Sequence, residues 1–373
     1  MIICHISTVH RRDDIRIYRK EIVSLLSAGY EIDYVTPKKT SQGEAIDLNR
    51  VNIIPIKTSS NKFIRIFTST PKTIWMCLKS KAAIFHAHDP ELIFTLIILR
   101  LLGKVTVLDV HEDYEQQIVD KLWIPSLLRF GFILPIFKLI HRIGKKTISR
   151  FIVVTEHIGK MYPLEKTFLV QNFPLQSEIN QQLSTTRTYQ RSIDMSYFGE
   201  ISSERNFENI LNSYIELHEQ GHPISFKLGG RVSSPGIKEL ITKCESLDGF
   251  EFLEWVSREE MLSILSETKL GLVLFKPLGN HINAQPNKIF EYMASGVPIL
   301  CSNFPLWEEV IVKNDVGISV DPLNKEAMKT GILTSLETFS SEHSFKAQKL
   351  VKEKFNWDNE FFKLVDCYKS IPT

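Results

Sequence analysis

Apolar positions along the chain fall into two kinds of run, and the two kinds alternate. Short, nearly unbroken stretches rich in Ile, Val and Phe occur at Ile2–Ser7, Glu31–Thr36, Val51–Ile56, Ala83–Ala87, Val105–Val110, Phe151–Thr155 and Phe168–Val170. Their continuity, with little polar alternation, is what strands buried on both faces of a parallel sheet require. Between them apolar residues recur at helical spacing. In Ile15–Ala28, Ile22, Leu25 and Leu26 are expected to face inward, and Gly29 is a natural stop. Pro90–Leu102 opens on Asp89-Pro90-Glu91, an N-cap, an N1 proline and a first-turn acid, and ends at Gly103. It is too short, and too interrupted by Arg100, to cross a bilayer, and is expected to be a buried helix.

A second series of the same kind follows. Strands are expected at Asp194–Phe198, Ser225–Leu228, Phe250–Leu253, Leu270–Phe275 and Pro298–Cys301. The helices between them are Phe207–Gln220, Gly236–Leu247, Arg258–Glu267, Asn287–Ser295 and one near Trp307, with a long amphipathic helix over Ser344–Ser370. Residues 172–191 are polar and rich in Gln, Ser and Thr, and read as a linker. Strands separated by helices imply βαβ units. The expected fold is therefore α/β, with two doubly wound Rossmann-like domains facing across a cleft. The divisions expected are residues 1–171, the linker 172–191, the second domain 192–352 and a terminal helix 353–373.

Composition adds a boundary and charge adds an asymmetry. Hydrophobic content of 43% and charged content of 24% exclude a disordered or collagen-like chain. The five cysteines are scattered without CxxC spacing, which argues against a cysteine zinc site or a disulfide framework and for a reducing, cytoplasmic setting. The formal net charge is only +2. Residues 1–171 nevertheless hold 25 Lys/Arg against 16 Asp/Glu, and residues 172–373 hold 20 against 27. Much of the basic excess lies in two windows without any acid, Val51–His88 and Lys121–Arg150.

Doubly wound sheets bind ligands beyond the carboxyl ends of their strands. The polar residues there are Ser7–Asp14, His86–Asp89, His111–Asp113, Gly199–Arg205, Gly229–Arg231 and Asn280–Glu291. The run Asn283-Ala284-Gln285-Pro286-Asn287-Lys288-Ile289-Phe290-Glu291-Tyr292-Met293-Ala294-Ser295-Gly296-Val297-Pro298 is the most informative. A helix beginning near Pro286 offers unpaired N–H groups and the positive end of its dipole to an anion. Lys288 and Glu291 share a face, suited either to a phosphate and a ribose diol or to a plain solvated ion pair.

This run resembles the nucleotide-sugar segment of the retaining family-four glycosyltransferases of the GT-B fold, a group common in bacterial surface-polysaccharide synthesis. Glu291 matches the second glutamate of that family's Glu-x7-Glu motif, which holds the nucleotide ribose. Asn283 stands where the first glutamate is usual. Tyr197-Phe198-Gly199-Glu200-Ile201 through Arg205-Asn206-Phe207 is similar to the family's strand, glycine turn and basic residue. The usual second basic residue is missing here, with Glu200 and Asn206 at the neighbouring places. The resemblance implies a donor site made by Gly199, Arg205, Asn283, Asn287, Lys288 and Glu291. His86-Ala87-His88-Asp89 and Asp109-Val110-His111 resemble two strand ends of the acceptor domain, with His111 reaching toward the transferred sugar as a catalytic residue. Arg11-Arg12-Asp13-Asp14-Ile15-Arg16 resembles the family's first loop. Asp14 and Arg16, with His88, are then expected to bind acceptor, although Asp14 is equally suited to capping the first helix. Asn356-Trp357 and Tyr368 fit a terminal helix that crosses back to the first domain.

The implied activity is transfer of a hexosyl unit from a UDP- or GDP-linked sugar to a lipid-linked or saccharide acceptor, with retention. No Asp-x-Asp pair is present, so neither metal nor other cofactor is expected. A GT-B epimerase, or a silent subunit that organises other transferases, stays open. Residues 121–150 mix Trp123, Phe130, Phe132, Ile136, Phe137, Leu139 and Ile143 with basic residues alone. This pattern suits either an interfacial helix on anionic lipid, placing the protein peripherally on the inner membrane face, or a core helix with a basic solvent face. Nucleic acid is not expected, because no recognition motif accompanies the charge.

Overall fold

The computed structural model describes residues 1–37, 50–57, 62–121, 124–185 and 191–371. The chain forms two compact units, Met1–Asn172 with Trp357–Thr373, and Phe173–Asn356. Each is built on one wholly parallel sheet.

In the first unit the strands are β1 (Ile2–Ile6), β2 (Glu31–Pro37), β3 (Asn52–Ile56), β4 (Ile84–Ala87), β5 (Val105–Val110), β6 (Arg150–Val153) and β7 (Thr167–Leu169). Their order is β3-β2-β1-β4-β5-β6-β7. In the second unit they are β8 (Ile193–Phe198), β9 (Phe226–Gly229), β10 (Phe250–Leu253), β11 (Thr268–Val273), β12 (Ile299–Ser302) and β13 (Gly317–Val320), ordered β10-β9-β8-β11-β12-β13. Both sheets start in the middle and grow outward in two directions. The crossover direction therefore reverses between β1 and β4, and between β8 and β11, where such folds bind ligands. Buried Ile, Val, Leu and Phe on both faces hold the sheets, as the unbroken apolar runs require.

Several elements depart from expectation. The first helix is π-helical over Ile15–Ile22 and becomes α-helical only over Val23–Ser27. The stretch expected as a linker contains the α-helix Gln176–Thr185, anchored by fully buried Ile179; residues 186–190 lie outside the described residues. The helix after β4 is not buried all round, since Phe94 and Leu101 are exposed. The Ser344–Ser370 pattern is two helices, Ser341–Glu353 and Trp357–Lys369, broken before Trp357. The second packs within the first unit, where Trp357 Nε1 donates to Ser24 Oγ at 2.9 Å and Glu360 Oε2 accepts from the Gln171 amide at 2.8 Å. Strand β13 and the helix Lys325–Thr338 were not foreseen, because the strand is only four residues long, a buried glycine followed by three half-buried residues.

Among the described residues no helix is long and apolar enough to cross a membrane. The basic segment folds into helices at Ser126–Leu128, Arg129–Ile133 and Leu134–Thr147. Trp123 lies outside the described residues.

Candidate functional site

Two constellations form at the switch points, one in each unit. In the second unit, β8 is followed at once by Gly199, and β9, which ends at Gly229, by Gly230. Gly199 and Gly230 have φ of +138° and +133°, where side chains are rarely tolerated. A Cβ on Gly230 would meet the Gly199 carbonyl oxygen at 1.9 Å, and one on Gly199 would meet Lys288 Nζ at 2.4 Å. Glycine is needed here because two backbone turns and a lysine converge on one spot.

Lys288 sits in the first turn of the helix Asn287–Ala294, immediately after Pro286. Its ammonium donates to the Phe198 carbonyl and lies 4.8 Å over the Tyr197 ring. Burial pushes its pKa down to about 8, against the pull of Glu291. The Arg205 guanidinium stacks 4.6 Å above Phe275, with Glu200 Oε2 at 3.8 Å from its Nε. Glu291 is half-buried and faces Arg258, whose Nη1 is 3.7 Å away while its Nη2 pairs with Glu178 at 3.0 Å. Asn287 is exposed at the helix start, and Asn283 follows the short helix Gly279–Ile282. The loop between them is fixed from below by fully buried Trp307, whose Nε1 donates to the Ala284 carbonyl at 2.7 Å.

Gly199, Lys288 and Glu291 are thus brought together at the ends of β8 and β9, and Arg205 reaches the same strand end. Asn206 is not available to a phosphate: it is fully buried and donates to the Pro322 carbonyl at 2.6 Å. Arg258 and Lys276 were missed. Lys276 lies just beyond β11 and reaches Ser203 Oγ at 3.0 Å and Glu208 at 3.4 Å, tying two of the loops together. For Lys276, a basic residue three places past the end of β11 was the available signal.

In the first unit the centre is Asp109, at the end of β5 and fully buried. Its Oδ2 accepts from Arg16 Nε and its Oδ1 from Arg16 Nη2, both at 2.9 Å. His88 Nδ1 is 3.2 Å and His111 Nε2 3.1 Å from the same Oδ2. Burial alone would raise this carboxyl; Arg16 and the two histidines outweigh it and hold it well below the usual range. His88 is buried and kept largely uncharged by desolvation, in spite of Asp109. His111 is half-buried, and its ring stacks 5.7 Å from His10.

Asp89 was expected to cap the helix after β4, yet its side chain turns the other way. It accepts from Ser7 Oγ at 2.9 Å and from the amides of Thr8 and Val9 at 2.6 and 3.2 Å, and lies 2.7 Å from His10 Nδ1. Burial opposes a charge on His10, but the pairing with Asp89 prevails and raises it to about 9. The result is a rigid loop over residues 7–10.

The residues expected to bind acceptor occupy other positions. Asp14 caps the first helix, accepting from the amides of Arg16 and Ile17 at 2.9 and 3.0 Å. Arg16 is buried and committed to Asp109 and the Val170 carbonyl. His88 is buried with both ring nitrogens engaged, Nε2 lying 3.0 Å from His5 Nδ1. Of the first-unit candidates, His111 alone keeps a partly exposed ring. The sequence concealed His5 and Glu21, each inside a stretch that read as apolar core.

Residues 181–350 match the model of the family described as Glycosyl transferases group 1. Over 82 residues the chain is 35% identical to the O-antigen chain mannosyltransferase B of Escherichia coli, a match that covers 22% of this chain and 21% of that protein. The chain thus matches about a fifth of that relative's length. Solved structures align over nearly all of it. The sucrose-phosphate synthase of Thermosynechococcus elongatus superposes with a TM-score of 0.73 at 14% identity, covering 99% of this chain and 98% of that one. A glycosyltransferase of Rickettsia africae gives 0.71 at 14% identity, with 99% and 97% covered. Anabaena HepE, solved with UDP and glucose, gives 0.70 at 12% identity, with 99% of each chain covered. At these identities the superpositions establish the fold alone. The fold is that of the GT-B glycosyltransferases, and the match to the glycosyl transferases group 1 model falls within the second unit.

Proposed function

We propose that the protein transfers a hexosyl unit from a nucleoside-diphosphate sugar, UDP- or GDP-linked, to a lipid-linked saccharide, with retention at the anomeric carbon. The observation that carries this reading is the convergence of Gly199, Gly230, Lys288 and a helix N-terminus at the ends of β8 and β9, with Arg205 and Glu291 beside it. Bare backbone at two glycines lets a diphosphate approach closely. Lys288, Arg205 and the amides of the helix Asn287–Ala294 then hold its charge where it grows as the sugar departs. Glu291, presented by the same helix, would accept from a ribose diol, with Arg258 setting its orientation. Asn283 and Asn287 would complete this edge by neutral hydrogen bonding. The cations of this site are side chains, so the reading assigns the departing diphosphate no metal.

In the first unit, His111 is the residue proposed to face the transferred sugar, oriented by Asp109. Arg16 and His88 form the support beneath it, and Asp14 fixes the helix that carries Arg16. The mannosyltransferase match and the family resemblance support a sugar-nucleotide donor and a role in surface-polysaccharide synthesis. HepE was solved with UDP and glucose, which favours UDP among the donors to try first.

The test is a panel of UDP-, GDP- and dTDP-sugars with bacterial lipid extract as acceptor, run on the wild type and on Arg205→Ala and Glu291→Ala. Loss of a charge-assisted contact costs about 1.5–3 kcal/mol, so each variant should bind the active donor roughly ten- to a hundredfold more weakly. Nucleotide binding without turnover would instead favour a subunit that organises other transferases. Undiminished donor affinity in both variants would sink the site.

A further inference from the structure

We propose that His5, His86, His88 and Glu21 form a buried binding site for a single zinc-class divalent cation in the first unit. His5 lies on β1 and His86 on β4, directly opposite one another in the parallel register, and His88 follows β4 by one residue. Glu21 comes from the first helix. All four side chains are between 0 and 1% exposed.

The spacing is that of ligands around a small ion. Glu21 Oε2 lies 3.8 Å from His5 Nδ1, 3.8 Å from His86 Nδ1 and 3.8 Å from His88 Nε2, and His5 Nδ1 is 3.0 Å from His88 Nε2. The four ligand atoms all fall within 4.8 Å of one another. Metal–nitrogen and metal–oxygen bonds of about 2.0–2.2 Å in a tetrahedron set edges of roughly 3.3–3.6 Å. The observed separations, from 3.0 Å up to at most 4.8 Å, lie on both sides of that value.

A second observation is independent of the spacing. Neither oxygen of Glu21 accepts a hydrogen bond among the described residues, although the group is fully buried; its Oε1 is 3.3 Å from Arg16 Nε. A buried carboxyl group without a hydrogen bond is costly inside a protein; Arg16 is its charge partner at Oε1, and Oε2 is left equidistant, at 3.8 Å, from three imidazole nitrogens.

The surroundings match the outer shell of a histidine site. His88 donates from Nδ1 toward Asp109 at 3.2 Å, which points the Nε2 lone pair at the centre, and Asp109 is itself held by Arg16. The π-helical turn explains how Glu21 gets there. In an α-helix residues five apart diverge, but i→i+5 bonding aligns Arg16 and Glu21 on one face. Two contacts would have to give way to a bound ion: the Tyr368 hydroxyl 2.7 Å from His86 Nδ1, and the hydrogen bond of 3.0 Å between His5 Nδ1 and His88 Nε2. With four protein ligands the site has no open position, so the ion would clip β1, β4 and the first helix together and take no part in sugar transfer. The proposal is independent of the donor-site reading.

The site is sealed, so metal must enter as the chain folds. The full-length protein is assayed for metal as purified, then stripped by chelator in denaturant and refolded with Zn²⁺ or Co²⁺. A single tightly held ion per chain is expected, with the intense visible bands of tetrahedral Co²⁺ and a higher Tm than after refolding without metal. Glu21→Gln should lower Co²⁺ affinity at least tenfold, a loss comparable to that of an outer-shell partner. Tyr368→Phe should leave binding intact or strengthen it, because it frees His86 Nδ1. A wild-type chain that refolds equally well without metal, and binds neither ion, overturns the proposal. So does undiminished Co²⁺ binding by a folded Glu21→Gln variant, and so does a loss of binding in Tyr368→Phe.

Discussion

Arg16 grips Asp109 through two parallel hydrogen bonds of 2.9 Å, across 93 positions of sequence and wholly out of solvent. The pair joins the first helix to the end of β5 and sets the angle at which His88 and His111 meet Asp109. Removing Asp109 leaves the buried guanidinium only the Glu21 carboxyl, 3.3 Å from its Nε, and breaking such a buried pair costs about 3–5 kcal/mol. Asp109→Asn is therefore expected to lower the free energy of unfolding by that amount in a urea titration. Arg16→Lys should recover only part, since an ammonium cannot make the two-pronged contact.

Gly199 and Gly230 provide a contrast between binding and folding. A methyl group at Gly230 would overlap the backbone of Gly199, whereas one at Gly199 meets the end of a flexible lysine. Both also place an alanine at strongly positive φ, a strain of about 1–3 kcal/mol. Gly230→Ala should lower the Tm more than Gly199→Ala. Gly199→Ala should in turn displace Lys288 and weaken donor binding out of proportion to its loss of stability. Calorimetric Kd values and Tm for both variants check this; equal ratios of the two effects would count against the geometry.

Most of the scaffold was legible in the chain because the strands are buried on both faces. Runs such as Val105–Val110 and Phe250–Leu253 match the structure residue for residue. The geometry of the proposed donor site was legible in part, since Gly199, Lys288 and Glu291 belong to one local pattern with one resemblance. What stayed hidden depends on long-range pairing. His5 sits in a run that reads as core, and only the β1–β4 register reveals His86 opposite it. Glu21 is five residues from Arg16, which helical periodicity places on a different face; the π-helical turn reverses that. Asp14 and Arg16 look alike as loop-end polar residues, and only burial separates a helix cap from an ion pair. The polar stretch at Gln176–Thr185 misled in the opposite direction, because Ile179 is the one described side chain that fully anchors it.

Lys288 gives the proposed donor site a pH dependence. Its ammonium is held down to about 8 by burial, so it is charged below that pH and increasingly neutral above it. Attraction for a diphosphate is thus complete near pH 7 and declines as pH rises through about 8. The Kd for the nucleoside diphosphate should weaken over pH 7–9 in the wild type. In Lys288→Gln it should be weaker at pH 7 and nearly flat over the same range. A wild-type profile as flat as that of the variant would exclude Lys288 from the diphosphate.

The helix Leu134–Thr147 and the turns before it carry the last prediction. Phe132, Ile136, Leu139 and Ile143 are exposed at spacings of four, three and four, so they line one helical stripe, and Leu127 upstream is 79% exposed. Lys138, Arg142 and Lys146 are exposed along the same helix, while Lys145 is half-buried with its ammonium 5.0 Å over the Tyr162 ring. An apolar stripe flanked by these cations, of which Lys138 lies 3.9 Å from Glu115, suits the headgroup region of an anionic bilayer, which is where a lipid-linked acceptor would be met. Each basic side chain near such a surface contributes about 1 kcal/mol, so Lys138→Gln, Arg142→Gln and Lys146→Gln together should weaken association by about a hundredfold. Leu139→Ser with Ile143→Ser should weaken it without changing its salt dependence. The protein is expected to float with phosphatidylglycerol vesicles at low salt, to be released at high salt, and to ignore phosphatidylcholine vesicles. Binding to both vesicle types alike, or to neither, would leave the stripe without a membrane role. Because the triple variant keeps the whole donor site, its turnover on a soluble acceptor analogue should match the wild type, and the difference should appear only with acceptor embedded in vesicles.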